Sequence, residues 1–296
     1  MRRAVTIGVI GLGNMGRPIA ENLWKAGHSL VVHDIRRAAV ADLKGRERVA
    51  VAPTPAAVGA AARIVLTVLP STDVVETVVA GRAGLLGGMG RGGILVDMST
   101  SEPEATRRLA ARLARRGIRM LDAPVSGGVL GARAGTLAVM VGGDRKAFRR
   151  VAPVLGAVGR RAFYLGPSGS GHTMKLVHNL AANMAFFGAC EAAVVGMKLG
   201  LPLKTIVEVF NAGNARGYHT EVKLARFVVP RTWNAGAPLA IIHKDTTLGL
   251  ALARRGAAPS EIARAMFGYV ERAKRKGWVS RDYTRLIQYL LTDPRP

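Results

Sequence analysis

The sequence predicts an α/β protein: a doubly wound parallel sheet followed by an all-helical second domain. Three observations carry that prediction. Short apolar, β-branched runs alternate with helical patterns through residues 1–165, the signature of strands joined by crossover helices. The first run breaks into Gly11-Leu12-Gly13-Asn14-Met15-Gly16, and a second run ends at Asp34. The pattern then changes at Gly166-Pro167-Ser168-Gly169-Ser170-Gly171, after which residues 166–296 show helical periodicity and no convincing strand.

Val5–Ile10 has the composition of a buried strand. Beyond the glycines, Ile19, Leu23 and Trp24 follow at helical spacing up to Gly27, and Ser29–Val32 is the next strand. In such a unit the first glycine allows the tight turn, the second lets a pyrophosphate approach the backbone and the third lets helix pack on strand. The helix start offers N–H donors and a positive dipole end to phosphate. Asp34 stands about twenty residues on, where a carboxylate accepts the ribose hydroxyls of an adenosine. Pro18 is close enough to the helix start for its missing N–H to cost little.

Ile35–Leu43 reads as a short helix, Arg48–Val51 as a weak strand, Pro53–Ala62 as a helix and Ile64–Leu69 as a strand ending at Pro70. Leu69-Pro70-Ser71 is either a cofactor-contacting turn at the carboxyl edge of the sheet or an ordinary loop. A helix over Asp73–Val79, a glycine-rich stretch Gly81–Gly93 and a strand Ile94–Asp97 follow. Ser99-Thr100-Ser101 is expected to cap a helix Glu102–Arg116, with or without a contact to cofactor. Ile118–Leu121 is a strand, Asp122–Gly128 a loop, Leu137–Val141 a strand, Arg145–Leu155 a helix and Arg161–Tyr164 the last strand. In the loop, Ser126-Gly127-Gly128 reads as a nest of N–H groups for an anion or as plain loop chemistry.

The chain of 296 residues suffices for two domains with real cores. No run approaches the ~20 uninterrupted apolar residues of a membrane span. Met1-Arg2-Arg3 mimics the start of a signal peptide, but the glycine turn interrupts the apolar run and no small-residue cleavage site follows. The single Cys190 excludes an internal disulfide, suits a cytoplasmic location and is expected to be a core thiol. No metal site is expected. A net charge of +24 suits anionic partners. The basic residues are nonetheless scattered, as in Arg107/Arg108, Arg115/Arg116, Arg149/Arg150 and Arg254/Arg255, without interleaved aromatics for base stacking. This supports a solvated basic surface that draws in anionic small molecules, not a nucleic-acid site.

The first helix of the second domain, Gly171–Leu199, is apolar nearly all round, as for a helix buried by its domain and by a partner subunit. Lys175, His178, Asn179 and Asn183 are set into it, with Lys175 and Asn179 four apart on one face. A lysine there either is paired or has its pKa shifted towards neutrality, or else it snorkels to solvent.

Gly11-x-Gly13-x-x-Gly16, Asp122-Ala123-Pro124-Val125-Ser126-Gly127-Gly128, Gly169-x-Gly171-x-x-x-Lys175-x-x-x-Asn179 and Lys244-Asp245 occur in this order. Together they resemble the β-hydroxyacid dehydrogenases, which include 3-hydroxyisobutyrate dehydrogenase and tartronate semialdehyde reductase, and the resemblance spans the whole chain. It implies a Rossmann-type domain, then a helical domain, with an active site between them that interconverts a small anionic 3-hydroxy acid and its semialdehyde. By that resemblance Lys175 is the general acid/base, Ser126, Gly127 and Gly128 hold the substrate carboxylate, and Asn179 orients the substrate. Lys244 approaches the nicotinamide with Asp245 nearby, and Leu69, Pro70 and Thr100 contact cofactor. Asp34 favours NAD, whereas Arg36 and Arg37 would suit the 2′-phosphate of NADP. Homodimers or homotetramers across the helical domain are implied too. Two departures bear on substrate choice: Gly217-Tyr218-His219 within Asn211–Thr220, and Arg231–Pro238 before Lys244. Two rival readings use the same fold, a non-enzymatic chromatin-binding relative and an imine reductase. The chromatin-binding relatives lack the lysine that is present here as Lys175, and imine-reducing relatives usually do.

Overall fold

The computed structural model describes residues 5–292. It divides into two compact units, Met1–Lys175 and Leu176–Pro296. The sequence boundary was expected ten residues earlier, at 165/166; the units part inside a continuous helix, α7 (Ser170–Lys198).

In the first unit, strands β1 (Thr6–Ile10), β2 (Ser29–His33), β3 (Val49–Val51), β4 (Ile64–Thr67), β5 (Ile94–Asp97) and β6 (Arg119–Asp122) lie in the order β3-β2-β1-β4-β5-β6 and are all parallel. The strand order switches at β1, running out to β2 and β3 on one side and to β4, β5 and β6 on the other, and such a switch point leaves a crevice at the carboxyl ends of β1 and β4. The expected doubly wound parallel sheet is present, and beyond β6 it is extended by strands of the other direction. Strand β8 (Leu137–Gly143) runs antiparallel to β6 and to a two-residue strand β7 (Val125–Ser126), and β9 (Gly159–Gly166) runs parallel to β8. The physical reason is the short connection from β6 to β8, which carries no crossover helix long enough to return the chain to the other edge.

Apolar side chains cover both faces of this sheet. Helices α1 (Gly16–Lys25) and α6 (Arg145–Val158) put Ile19, Leu23, Val151 and Leu155 against Val9, Val32, Val96 and Val139. On the other face, α2 (Pro55–Ala61), α3 (Thr72–Ala80) and α4 (Pro103–Ala114) put Val58, Val75, Val79, Leu109 and Leu113 against Val31, Val65 and Leu95. At about 25 cal/mol per Å² of apolar surface, these two layers supply most of what holds the unit together. The expected helix over Ile35–Leu43 is a 3₁₀ segment, Arg37–Leu43.

The second unit has no strand among its described residues. The rest of α7, α8 (Leu203–Ala212), α9 (Leu239–Arg255), α10 (Glu261–Arg275) and α11 (Leu286–Thr292) enclose Phe186, Cys190, Leu224, Val270 and Tyr289. The segment His219–Val228 is a π-helix, a wider turn than the expected α-helical pattern and one often found at functional sites. Cys190 is fully buried, and burial pushes its thiol pKa up, so the expected core role holds.

Candidate active site

The glycine turn is built as its sequence predicts. Gly11 has φ +94°, a conformation costly for other residues, and a methyl group on Gly16 would run into the Gly11 carbonyl. Gly13 differs: nothing lies nearer its missing Cβ than Arg36 at 3.8 Å, so the space over it is open. A cavity of about 660 Å³ occupies that space, lined by Leu12, Gly13, Asn14, Arg17 and Arg36 among others. Helix α1 begins beneath it with Met15 at the N-cap, no side-chain cap and no acidic residue in its first turn. An uncapped helix start facing a cavity suits a pyrophosphate.

Asp34, just after β2, is tied to the glycine turn and to Arg36. Its Oδ2 accepts from the Leu12 N–H at 2.7 Å and its Oδ1 from the Arg36 N–H at 2.9 Å. The Arg36 guanidinium reaches both oxygens, at 3.2 and 3.3 Å. Burial opposes ionisation of Asp34, but these donors together hold its pKa below the usual carboxylate value. Leu69 and Pro70 follow β4, Thr100 follows β5, and the Leu69 N–H donates to Ser99 Oγ at 3.0 Å, tying the two turns together.

The serine cluster does not cap α4. That helix starts at Pro103 with Glu102 at its N-cap and no side-chain cap, out of reach of Ser99. Its hydroxyls and amides instead serve Asp97, which is fully buried: the Ser99 N–H, the Thr67 hydroxyl and the Ser101 hydroxyl donate to it at 3.1, 2.9 and 3.4 Å. The expected Asp122–Gly128 loop is likewise more ordered than predicted, because Val125–Ser126 pairs with β8 and a short helix α5 (Gly128–Ala134) starts directly after Gly127. Gly127 and Gly128 both have positive φ, and the missing Cβ of Gly128 faces open space.

Asp122 ends β6, fully buried, and accepts the backbone N–H groups of Gly169 at 2.9 Å and His172 at 3.0 Å. A carboxylate of the sheet thus caps α7. His172 is fully buried in the same turn. Lys175, one turn further, is 9% exposed and the last residue of its unit.

In the helical unit the Asn179 amide donates to Asp245 at 2.6 Å, Asp245 is buried, and Lys244 Nζ stands 3.4 Å from its other oxygen. Asn183 donates to the Thr246 hydroxyl at 3.3 Å. Sequence reasoning missed a second cluster here. Lys223 is buried with its Nζ 5.4–5.6 Å from the ring centres of Tyr218, Phe227 and Tyr283, and burial lowers its pKa. His219, with Nδ1 buried and unbonded, is pushed down to about 4 by burial and by nearby Lys223 and His178.

Residues 6–166 match the family described as the NAD binding domain of 6-phosphogluconate dehydrogenase, and residues 169–290 that of the NAD-binding of NADP-dependent 3-hydroxyisobutyrate dehydrogenase. The chain belongs to the β-hydroxyacid dehydrogenase family. As a member it is an NAD(P)-dependent hydroxyacid dehydrogenase. This dehydrogenase is 34% identical to 2-(hydroxymethyl)glutarate dehydrogenase of Eubacterium barkeri, over 97% of the chain and 95% of the relative. It is 33% identical to the NAD-dependent L-serine dehydrogenase of Pseudomonas aeruginosa, over 97% and 98%. The crystal structure of 3-hydroxyisobutyrate dehydrogenase from Salmonella typhimurium superposes with a TM-score of 0.88 at 26% identity, covering 96% of this chain and 99% of that one.

Proposed function

We propose that the dehydrogenase interconverts a small 3-hydroxy acid and its semialdehyde, with Lys175 as general acid/base and NAD as the preferred cofactor. The observation that carries this reading is the placement of Lys175: a buried lysine on the second turn of a largely apolar helix whose start is pinned to the sheet by Asp122. A nicotinamide cofactor, when bound, accepts the hydride and supplies the redox step. The glycine turn, the open space over Gly13 and the uncapped start of α1 fit its pyrophosphate, with Leu12, Asn14, Met15 and Asp34 beside it and Leu69, Pro70 and Thr100 on the neighbouring turns. The neutral amine of Lys175 takes the proton from the substrate hydroxyl, and the ammonium returns it in the reverse direction. Asn179, one helical turn on, orients the hydroxyl, and Asp245 fixes its amide. Ser126, Gly127 and Gly128 take the carboxylate, and Lys244 approaches the nicotinamide end of the cofactor, with Asp245 beside its ammonium at 3.4 Å.

The substrates named for the relatives support the choice of substrate class, since 2-(hydroxymethyl)glutarate, L-serine and 3-hydroxyisobutyrate each carry a hydroxymethyl group next to a carboxylate. The test is a panel of these three acids and the methyl ester of the last, followed by absorbance of reduced cofactor. The ester should lose about 10²-fold or more in kcat/KM, since each buried donor left unpaired costs about 1–3 kcal/mol. Equal rates for acid and ester would remove the carboxylate from the reading. Lys175→Ala should lose about 10²–10⁴ in kcat and still bind cofactor; near-normal turnover would overturn its role.

The same reading includes a cytoplasmic homodimer or homotetramer. In the helical unit Val177, Val195, Leu199, Leu201 and Val209 are exposed apolar residues on or beside α7 and α8, and α7 as a whole has the length and hydropathy of a membrane span. A second copy laid on this face would cover it. Sedimentation equilibrium showing a monomer at micromolar concentration would exclude this assembly.

A further inference from the structure

We propose that His172 is a positioning residue: its buried imidazole clamps the first turn of α7 to the turn after β5, and so sets the position of Lys175 relative to the cofactor-binding edge of the sheet. The inference rests on the reading of Lys175 as the acid/base.

An imidazole fully enclosed at the root of a helix has to place both ring nitrogens on partners, or forfeit their hydrogen bonds to water. His172 does place both. Nε2 lies 3.1 Å from the Ser99 carbonyl, which can only accept, so Nε2 carries a hydrogen. Nδ1 lies 2.7 Å from the Thr106 hydroxyl on α4, which can donate or accept, so the contact holds in either proton arrangement. Its own backbone N–H is taken by Asp122, and an Asp97 oxygen stands 3.7 Å from Nε2. One residue therefore makes contacts to β5, β6 and α4, and each of those contacts spans the sequence by fifty residues or more.

The clamp ends at residues with expected roles. The Ser99 that receives Nε2 also holds the Leu69 N–H through its hydroxyl, and Thr100 is the next residue. Asp97 collects the Thr67 hydroxyl, the Ser99 N–H and the Ser101 hydroxyl, fixing the same turn from beneath. On the helix side, Lys175 follows His172 by three residues, just under one turn of 3.6 residues. Rotation or sliding of α7 by an ångström would carry Lys175 with it, and displacements of that size cost about 10²-fold when the reacting groups must be aligned. A turn pinned by Asp122 alone would be fixed along the helix axis, yet free to roll about that pair of bonds. The ring contacts to Ser99 and Thr106 remove the roll.

The experiment is a double-mutant cycle. His172→Ala should lower kcat about 10–100-fold, raise the primary deuterium isotope effect on kcat and leave the cofactor Kd within about threefold. His172→Gln, which can still donate to the Ser99 carbonyl, should recover at least half of the logarithmic loss. In a Lys175→Ala background, His172→Gln and Thr106→Val should change kcat by less than about twofold, because the group they position is gone. If His172→Ala does not fold, Thr106→Val decides: it removes the Nδ1 partner, together with the hydroxyl's bond to the Glu102 carbonyl at 3.0 Å within its own helix turn, and should lower kcat with the same isotope signature. A kcat unchanged in folded His172→Ala or in Thr106→Val would overturn the proposal, as would an equal loss with and without Lys175. Near-normal turnover of Lys175→Ala is a different result, for it removes the acid/base reading itself and the clamp's purpose with it.

Discussion

Two helices of the first unit begin beside the carboxyl edge of the same sheet, and they are finished in opposite ways. Helix α1 starts at the glycine turn with no side-chain cap, no acid in its first turn and a cavity of about 660 Å³ in front of it. Helix α7 starts on the buried carboxylate of Asp122, which takes two of its backbone N–H groups. The electrostatic requirement is the same at both, since any helix start carries orphan donors and about half a positive charge. What differs is who supplies the anion. At α7 the protein does, so that start is structural and its rigidity is available to Lys175. At α1 the anion is left for a ligand. An absent cap alone does not mark a binding site, since α4 also lacks one; at α1 it coincides with a glycine turn, no acid in the first turn and a cavity.

The largest effect that would break this contrast is expected at the capped start. Asp122→Ala strips the anion from α7 and leaves two N–H groups buried without partners, at about 1–3 kcal/mol each, or about 2–6 kcal/mol of stability in total. Urea unfolding of the ligand-free protein measures it. A loss below about 1 kcal/mol would mean that water serves those groups and that α7 is not anchored as described.

The uncapped start should answer in the reverse sense. Gly13→Ala adds a methyl group to open space, so the ligand-free protein should melt within a degree or two of wild type. Cofactor affinity should nonetheless fall about tenfold or more, because the methyl group occupies the path of the pyrophosphate. Titration by quenching of tryptophan fluorescence reads this directly, and unchanged affinity would place the pyrophosphate elsewhere. Met15→Asp sharpens the same point with a smaller effect. A carboxylate at that helix start should stabilise the ligand-free protein by about 0.3–1 kcal/mol through the dipole, while weakening cofactor binding. If both quantities improved together, the start of α1 would not be the phosphate site.

The same contrast explains how much could be read from sequence. Everything that defines the uncapped start lies between Val5 and Arg36, in consecutive residues whose turn chemistry is local, and the structure reproduces it. The strands and the two-sided apolar layers were legible for the same reason, as periodicity. The capped start is assembled from residues 47 to 66 positions apart, Asp122 with Gly169 and Thr106 with His172, and no local pattern reports such pairs. Ser99 and Ser101 illustrate the resulting error. Read locally they are helix caps, yet the Ser99 hydroxyl accepts from the Leu69 N–H, and the Ser99 N–H and the Ser101 hydroxyl donate to Asp97, itself only a strand end in the sequence. Within the helical periodicity of residues 166–296, nothing in the sequence marks the turn carrying His219 and Lys223 as π-helical, since the wider closure is set by packing and not by a local residue signature.

The smallest expected effect concerns Arg36, and it decides cofactor choice at the uncapped start. Arg36 is 64% exposed while its partner Asp34 is only 6% exposed, so the pair as such contributes about 0.2–1 kcal/mol at most. Its guanidinium is already engaged by both Asp34 oxygens and would have to leave them to grasp a 2′-phosphate, which would then meet the bare carboxylate. NAD should therefore give the higher kcat/KM, and Arg36→Ala should change the value for NADP by less than about threefold, the scale of an exposed ion pair. A fall of tenfold or more for NADP alone would show that Arg36 is the phosphate's partner after all. The pH dependence gives an independent check on the pair. Asp34 has a lowered pKa in the folded protein, so its ionised form adds stability above the unfolded value near 3.8 and loses it as the pH drops through the folded value. With Arg36 removed, the folded pKa moves back towards 3.8, and the stability lost between pH 4 and 2 should shrink relative to wild type. An acid limb that is the same with and without Arg36 would mean that the Leu12 and Arg36 backbone N–H groups alone hold the carboxylate, leaving the guanidinium free for phosphate.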